Sequence, residues 1–264
     1  MLKVNNIYKT FNPGTINQKV ALNNLSLELK EGDFVTVIGG NGAGKSTLLN
    51  ALAGTWQVDY GQILIDDIDA TKMPEHKRAS FLGRVFQDPM MGTVASMQID
   101  ENMALAYRRG KFRGLRTGIT AAEKKEFETL LAGLELGLEY RMSSKVGLLS
   151  GGQRQALTLL MATMKKPKLL LLDEHTAALD PKTAQKVLAT TNKIITENNL
   201  TTLMITHNMK DAIKNGNRLI MMNEGRIILD IAGEEKKNLT VADLLQKFSE
   251  LSEDGVVSDK ALLS

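Results

Sequence analysis

Hydrophobic and polar positions divide the first part of the chain into strand-like runs and one helix. Residues 2–8 and 20–29 alternate apolar and polar side chains, which predicts two strands that each bury one face. The apolar, β-branched run 34–40 predicts a buried strand that leads into a glycine-rich turn. A helix is predicted over 45–54 and another strand over 61–67. We therefore expect a strand, a glycine turn and a helix in direct succession.

The middle of the chain alternates between helical and strand-like patterns. Residues 100–164 have mostly helical periodicity, with a polar interruption at 108–118. The run 168–174 is apolar up to two final acids, which is typical of a strand buried on both faces of a parallel sheet. A helix over 181–199 and a strand over 200–207 follow, so the pattern predicts an α/β fold.

The last part of the chain is predicted to hold a hairpin and a helix. Residues 218–231 are apolar on both sides of Asn-Glu-Gly, which indicates a β-hairpin. Residues 239–251 are amphipathic, and Thr240 and Asp243 have the spacing of a capping box. The sequence contains no evident repeat or long linker.

Composition narrows the class of protein. The chain has 264 residues, 43% of them hydrophobic, which suits one large domain or a core with a subdomain. A net charge of +3 is too small to predict nucleic-acid binding, and the absence of cysteine excludes disulfides and thiolate metal sites. Residues 1–11 lack the apolar core of a signal peptide, and no apolar run reaches the roughly 18–20 residues that span a bilayer. We expect a cytoplasmic protein that reaches a membrane only through a partner.

A complete phosphate-loop motif follows the strand at 34–40. The letters GGNGAGKS match G-x-x-x-x-G-K-[ST], whose glycines let backbone N–H groups curl around phosphate oxygens. Lys45 is expected to reach the β- and γ-phosphates and Ser46 to bind Mg²⁺, while the helix points its positive end at the anion. A chance glycine turn is the alternative, and the flanking strand and helix disfavour it. The nucleotide-binding residues predicted here are Gly39, Gly40, Asn41, Gly42, Ala43, Gly44, Lys45, Ser46 and Thr47.

Two acids end the apolar run at 168–174. Asp173 lies at the carboxyl end of the strand, where open α/β sheets bind ligands, so its carboxylate can hold Mg²⁺. Glu174 can orient or deprotonate an attacking water. The alternative for adjacent acids is a solvated loop. A phosphate loop alone does not separate an ATPase from a GTPase or a kinase.

A second glycine segment stands where a helix begins. The letters LSGGQRQALT at 149–158 place two glycines before a strongly helix-forming run, although glycine costs a helix interior about 1 kcal/mol relative to alanine. Glycines there expose N–H groups, and Ser150 adds a hydroxyl. We therefore interpret this segment as a second anion-binding device.

With this segment the chain resembles the nucleotide-binding subunits of ATP-binding-cassette (ABC) transporters. The phosphate loop, VFQDP, LSGGQ, LLLLDE, AALD and ITH occur in the family's order. The resemblance implies a P-loop NTPase with a RecA-like core sheet, an antiparallel β subdomain and an inserted helical subdomain. The implied divisions are a cassette domain at 1–238, its core and β subdomain at about 1–88 and 165–235, its helical signature subdomain at about 89–164, and a C-terminal helix and tail at 239–264.

The resemblance also implies a role for each motif. The implied catalytic residues are Lys45, Gln87, Glu174 and His207, and the implied Mg²⁺ ligands are Ser46, Gln87 and Asp173. His207 has a structural alternative, as a cap of its strand. Asp180 belongs to the D-loop. The signature residues that would cover the ATP of a second copy of the chain are Leu149, Ser150, Gly151, Gly152 and Gln153.

Three features depart from the common family pattern. An aromatic residue near the first strand stacks on adenine in the family; Phe11 fits best, and Tyr8 stays an alternative because 12–18 is a long turn. His175 replaces a proline found in many relatives, and we interpret it as a tolerated loop variant and not as a base. A basic cluster is either a solvated loop or a contact for acidic permease residues or lipid headgroups; its members are Arg108, Arg109, Lys111, Arg113 and Arg116.

The implied activity is ATP hydrolysis, with ATP and Mg²⁺ as cofactors, coupled to a separate permease through head-to-tail dimerisation. A separate cassette favours an importer on the cytoplasmic face of the membrane, with permease subunits as partners and, indirectly, an extracytoplasmic substrate-binding protein. Stretches 6–17 and 92–110 resemble bacterial ATPases linked to tryptophan or tyrosine uptake. One alternative is a soluble ABC ATPase in another assembly, such as iron–sulfur cluster biogenesis. A non-hydrolytic regulator is the other, and Glu174 disfavours it.

Overall fold

The computed structural model describes residues 1–110 and 118–253. Every strand and helix predicted from the pattern is present, with small shifts at the ends, and several short elements add to them. In chain order the strands and α-helices of the described residues are β1 (Leu2–Phe11), β2 (Lys19–Leu29), β3 (Phe34–Ile38), α1 (Lys45–Ala53), β4 (Tyr60–Ile65), β5 (Ile68–Asp69), α2 (Glu75–Arg78), β6 (Leu82–Val85), α3 (Ile99–Tyr107), α4 (Ala121–Ala132), α5 (Gly151–Thr163), β7 (Leu169–Asp173), α6 (Pro181–Asn198), β8 (Thr202–Ile205), α7 (Met209–Lys214), β9 (Arg218–Asn223), β10 (Arg226–Ala232), α8 (Gly233–Lys237) and α9 (Val241–Glu253). Two short 3-10 helices, Leu138–Arg141 and Val146–Leu148, lie between α4 and α5.

These elements form two compact units. The first unit takes its described residues from 1–78 and 199–264, and the second takes its described residues from 79–198. The predicted division, with a helical subdomain at about 89–164, is based on the family resemblance and not on compactness, and it stays a prediction.

The first unit contains two kinds of sheet. An antiparallel sheet has the strand order β2-β1-β4-β5. In the other sheet β3 pairs in parallel with both β8 and β9, and β10 returns antiparallel to β9 as the predicted hairpin. Because β3 and β8 run in the same direction, the residues that follow them emerge at one edge of the sheet.

The second unit places helices beside a parallel pair of strands. Strand β7 pairs with β6, and its four leucines, 169–172, have no exposed surface, as expected for a strand covered on both faces. A separate apolar cluster joins α3, α4 and α5 around Met103, Phe127 and Leu157, each fully buried. Burial of such side chains stabilises a unit by roughly 1.5–3 kcal/mol per residue.

The C-terminal helix is part of the first unit. Leu244 and Phe248 of α9 are buried against Leu219 and Ile231 of the β9–β10 hairpin. The predicted capping box is confirmed, because the Asp243 backbone N–H donates to Thr240 Oγ1 and the Thr240 N–H donates to the Asp243 carboxylate. In the described ranges the helices are too short or too polar to cross a bilayer.

Candidate nucleotide-binding site

The phosphate loop of the first unit connects β3 to α1. Gly39 and Gly44 have positive φ values of 148° and 100°, which side chains other than glycine rarely adopt. A Cβ at Gly39 would overlap the Met222 carbonyl oxygen, and one at Gly44 would overlap the Ala21 carbonyl oxygen. Both glycines are therefore required by conformation and by close backbone approach. The predicted role of the motif's glycines, which is to let N–H groups curl around phosphate oxygens, stays a prediction.

Lys45 begins α1 and points back into the loop. Its Nζ donates to the carbonyl oxygens of Gly39, at 2.6 Å, and Gly40, at 3.1 Å. The ammonium is thereby held inside the curl of the loop, where a phosphate would lie. Ser46 occupies the next position, in the first turn of α1, and its side chain is exposed. The loop is braced by a hydrogen bond of 3.0 Å from the Gly225 N–H to the Ala43 carbonyl.

His207 follows β8 at the same edge of the sheet as the phosphate loop. Val37 of β3 lies opposite Ile205 of β8, and Gly39 and His207 each come two residues later. The Thr206 N–H continues the ladder with a 3.1 Å hydrogen bond to the Val37 carbonyl. His207 is exposed. This register supports a contact between His207 and a phosphate bound in the loop, which stays a prediction.

Phe11 ends β1 and packs against a second aromatic side chain. Its ring centroid lies 4.9 Å from that of Trp56 in an edge-to-face arrangement, and Lys9 Nζ lies 5.7 Å from the Phe11 centroid. Tyr8 meets a different partner, Tyr60, at 6.4 Å. Sequence reasoning missed Trp56, because a residue beyond the end of a helix gives no local sign of a contact with β1.

Asp173 and Glu174 of the second unit end β7 as predicted. An Asp173 oxygen lies 3.7 Å from Arg84 Nη2 on the paired strand β6. The Arg84 guanidinium also covers the Phe86 ring at 4.5 Å. Glu174 has a φ of 44°, an uncommon conformation for a residue with a side chain, and its carbonyl accepts from the Ala177 N–H at 2.9 Å. The tight turn thus fixes the backbone at Glu174.

His175 is a buried anchor for this turn. Its Nε2 lies 3.0 Å from Thr191 Oγ1 on α6, and the Thr191 hydroxyl donates to the Val187 carbonyl at 2.8 Å. His175 Nε2 is therefore the donor to Thr191. Burial lowers the pKa of His175 to about 4, so the ring is neutral at physiological pH. The prediction that His175 is no base agrees with this burial, but the residue is packed in the interior and is more than a tolerated loop substitution.

Gln87 follows β6 and is exposed, while the residue before it is fixed. The fully buried Gln155 of α5 donates through Nε2 to the Phe86 carbonyl at 3.0 Å. Just beyond, the Met90 N–H donates to the Asp88 carboxylate at 2.8 Å. The segment around Gln87 is thus attached to the helix that carries the signature.

The signature begins α5 with a capping box. The Gln153 N–H donates to Ser150 Oγ at 3.3 Å, and the Ser150 N–H donates to the Gln153 side chain at 3.2 Å. Ser150 and Gly151 are exposed, whereas Leu149 and Gly152 are buried. The N–H groups of Gly151 and Gly152 have no carbonyl one turn earlier in the helix, as an anion-binding helix terminus requires.

Packing also requires a glycine at position 152, which the sequence did not reveal. A Cβ at this position would overlap Thr183 Cγ2 at the start of α6. Asp180 caps that helix, since its carboxylate accepts from the Thr183 N–H at 3.1 Å, and hydrogen bonding from Thr183 lowers the pKa of Asp180. The signature and the D-loop therefore meet at one helix–helix contact.

The described arginines of the basic cluster are not freely solvated. Arg108 donates to both carboxylate oxygens of Glu123, each at 2.8 Å. Arg109 is partly buried beside the Ala162 carbonyl of α5, and this burial lowers its pKa. The solvated-loop interpretation is thus wrong for these two residues. Lys111, Arg113 and Arg116 lie outside the described residues.

Comparison with known proteins gives one consistent assignment. The family described as ABC transporter matches residues 22–177. The tyrosine transport ATP-binding protein of Clostridioides difficile is 46% identical over 94% of this chain and 98% of its own length. A dimeric post-hydrolysis ATP-binding cassette bound to ADP and Pi is 31% identical, with a TM-score of 0.73 over 88% of this chain and 98% of that one. The cbiO1 protein of Clostridium perfringens, part of the ABC transporter complex cbiONQ, is 26% identical, with a TM-score of 0.76 over 96% of each chain. The chain belongs to the ABC transporter family and is one of its ATP-binding, ATP-hydrolysing cassettes.

Proposed function

We propose that this cassette powers the import of an aromatic amino acid, tyrosine or a close relative, through a separate permease. The observation that carries the proposal is the 46% identity with a tyrosine transport ATP-binding protein over nearly the full length of both chains. The cassette would act on the cytoplasmic face of the membrane, bound to permease subunits that receive substrate from an extracytoplasmic binding protein. Two copies of the chain would serve one transporter.

Nucleotide binding begins with the residues of the first unit. The phosphate loop offers converging N–H groups, and the Lys45 ammonium, now on the Gly39 and Gly40 carbonyls, is placed to exchange them for β- and γ-phosphate oxygens. Phe11, backed by Trp56, offers a face or an edge to the adenine ring.

The oxygen donors of the motifs suit Mg²⁺. Ser46 supplies a hydroxyl, Gln87 an amide oxygen and Asp173 a carboxylate, all hard ligands of the kind that Mg²⁺ prefers. Within 1–110 and 118–253, no group of three or more His, Asp or Glu side chains could hold a metal by itself. An ion bound mainly by nucleotide phosphates fits this sparse set, and when bound it neutralises phosphate charge.

Hydrolysis and pairing are assigned to the remaining motif residues. Glu174 orients and polarises the attacking water, and His207 donates a hydrogen bond to the γ-phosphate. The signature of each copy, from Leu149 to Gln153, covers the nucleotide of the other copy around a two-fold axis, with Asp180 at the contact. ATP promotes closure only to the extent that it binds the closed dimer more tightly than the open one.

Reconstitution of the cassette with the permease and binding-protein subunits that copurify with it tests the function. We expect ATP-dependent tyrosine uptake by proteoliposomes, and none with Lys45→Ala. Alanine and lysine as transported solutes serve as controls for selectivity. A cassette that hydrolyses ATP but neither copurifies with the permease nor supports uptake would contradict the transport proposal and favour another assembly.

A further inference from the structure

We propose that Lys19 is a second lysine that contacts the nucleotide, on the α-phosphate side of the phosphate loop. Lys19 begins β2, and its Nζ lies 2.9 Å from the position that a Cβ would take at Gly42. Its ammonium thus lies against the outer turn of the loop, whereas that of Lys45 lies inside it. This inference rests on the proposed nucleotide site.

In the part of the chain that the structure describes, no carboxylate balances the charge of Lys19. Other lysines of the same sheet do have carboxylate partners, since Lys9 pairs with Asp59 at 2.9 Å and Lys3 with Glu28 at 4.0 Å. Two ammonium groups therefore flank one short loop whose N–H groups also attract anions. Such a site favours a polyanion over a single negative charge.

The strand register fixes the side of the loop on which Lys19 acts. Lys19 lies directly opposite Phe11 in the β1–β2 ladder. Phe11 is the residue assigned to the adenine, so Lys19 lies between the base and the loop. The phosphate nearest the base is the α-phosphate, and Lys45 is assigned to the β- and γ-phosphates.

A ligand series tests this assignment. Affinities of the full chain for ATP, ADP, AMP and adenosine are compared between wild type, Lys19→Met and Lys19→Arg. We expect Lys19→Met to weaken ATP, ADP and AMP by about tenfold each, the effect of one exposed charge-assisted hydrogen bond, with Lys19→Arg close to wild type. Adenosine binding should not change. The slope of the logarithm of ATP affinity against the logarithm of salt concentration should also decrease by about one, because one cation no longer contacts the phosphates.

Control variants distinguish a failure of the role proposed for Lys19 from a failure of the nucleotide site as a whole. Lys3→Met removes a charge from the same sheet and should leave all four affinities unchanged. If Lys19→Met binds ATP, ADP and AMP as wild type while Lys45→Ala does not, the phosphate loop stands and the role of Lys19 is refuted. Equal losses for adenosine and ATP would also refute it, because they indicate a structural role. Failure of wild type to bind any of these ligands would instead overturn the nucleotide site.

Discussion

The side-chain amide of Gln155 donates a 3.0 Å hydrogen bond to the Phe86 carbonyl. It joins the residue before Gln87 to α5, the helix that begins at Ser150. Gln155 has no exposed surface, and its amide oxygen has no partner among the described residues. A buried polar side chain with one unsatisfied atom is costly, so we infer that it is retained for positioning.

Replacing Gln155 with Met should therefore affect catalysis more than stability. The variant loses one hydrogen bond but also removes the unsatisfied oxygen, so the free energy of unfolding should change by only about 1 kcal/mol. The turnover number should fall several-fold with little change in the KM for ATP, because the segment around Gln87 loses its anchor. Thr163→Ala, which removes an intrahelical hydrogen bond from the same helix, is the control. A rise in KM with unchanged turnover would contradict the positioning role.

Gly152 and Thr183 provide a packing test. Gly152→Ala forces the start of α5 away from α6, which should lower the free energy of unfolding by about 1–3 kcal/mol. Thr183→Ser removes the Cγ2 methyl that a Cβ would meet while keeping the hydroxyl. Combining the two should restore most of the stability, as urea unfolding would show. Additive losses would mean that the two residues do not interact.

His175 should make the protein less stable in mild acid. Its folded pKa of about 4 lies below the ordinary value of 6.5, so the unfolded chain binds a proton that the folded chain does not. Stability is therefore unaffected above pH 6.5 and is lost as the pH falls from 6.5 to 4, by up to about 3 kcal/mol. His175→Asn should remove this part of the pH dependence. Urea unfolding of both proteins at pH 7.5, 6 and 5 isolates it, and parallel curves would contradict the prediction.

Glu174→Gln tests the catalytic assignment. A glutamine keeps the size of the side chain but cannot accept a proton from water, so hydrolysis should fall by at least about 100-fold. ATP binding should be retained, and the ATP-bound dimer should accumulate because hydrolysis no longer allows it to dissociate. Light scattering with and without Mg-ATP measures this. Ser150→Arg added to this variant should prevent pairing but not binding, and a dimer that persists would show that the signature lies outside the interface.

The sequence predicted what depends on local rules. The phosphate loop, the buried strand ending in Asp173 and the Thr240–Asp243 cap follow from spacing, periodicity and glycine conformation, and the structure has each. The sequence did not predict the contacts of Arg84 or Trp56, because these join residues on different elements. The same holds for Gly152, whose neighbour Thr183 lies 31 positions away in the sequence.

The choice between Phe11 and Tyr8 can be made with the single tryptophan of the chain. Because Trp56 lies against Phe11, a purine that stacks on Phe11 should change the Trp56 fluorescence as ATP is added. Phe11→Ala should weaken ATP binding by about tenfold or more, in line with 1–3 kcal/mol for base–aromatic stacking, and should reduce the fluorescence change.

Tyr8→Ala is the matched variant, since Tyr8 contacts Tyr60 instead of Trp56. It should leave both the affinity and the fluorescence change near wild type. The opposite pattern, with ATP binding weakened by Tyr8→Ala and not by Phe11→Ala, would assign the adenine to Tyr8. That result would also move the base away from the strand position opposite Lys19, so the argument for an α-phosphate contact at Lys19 depends on the same measurement.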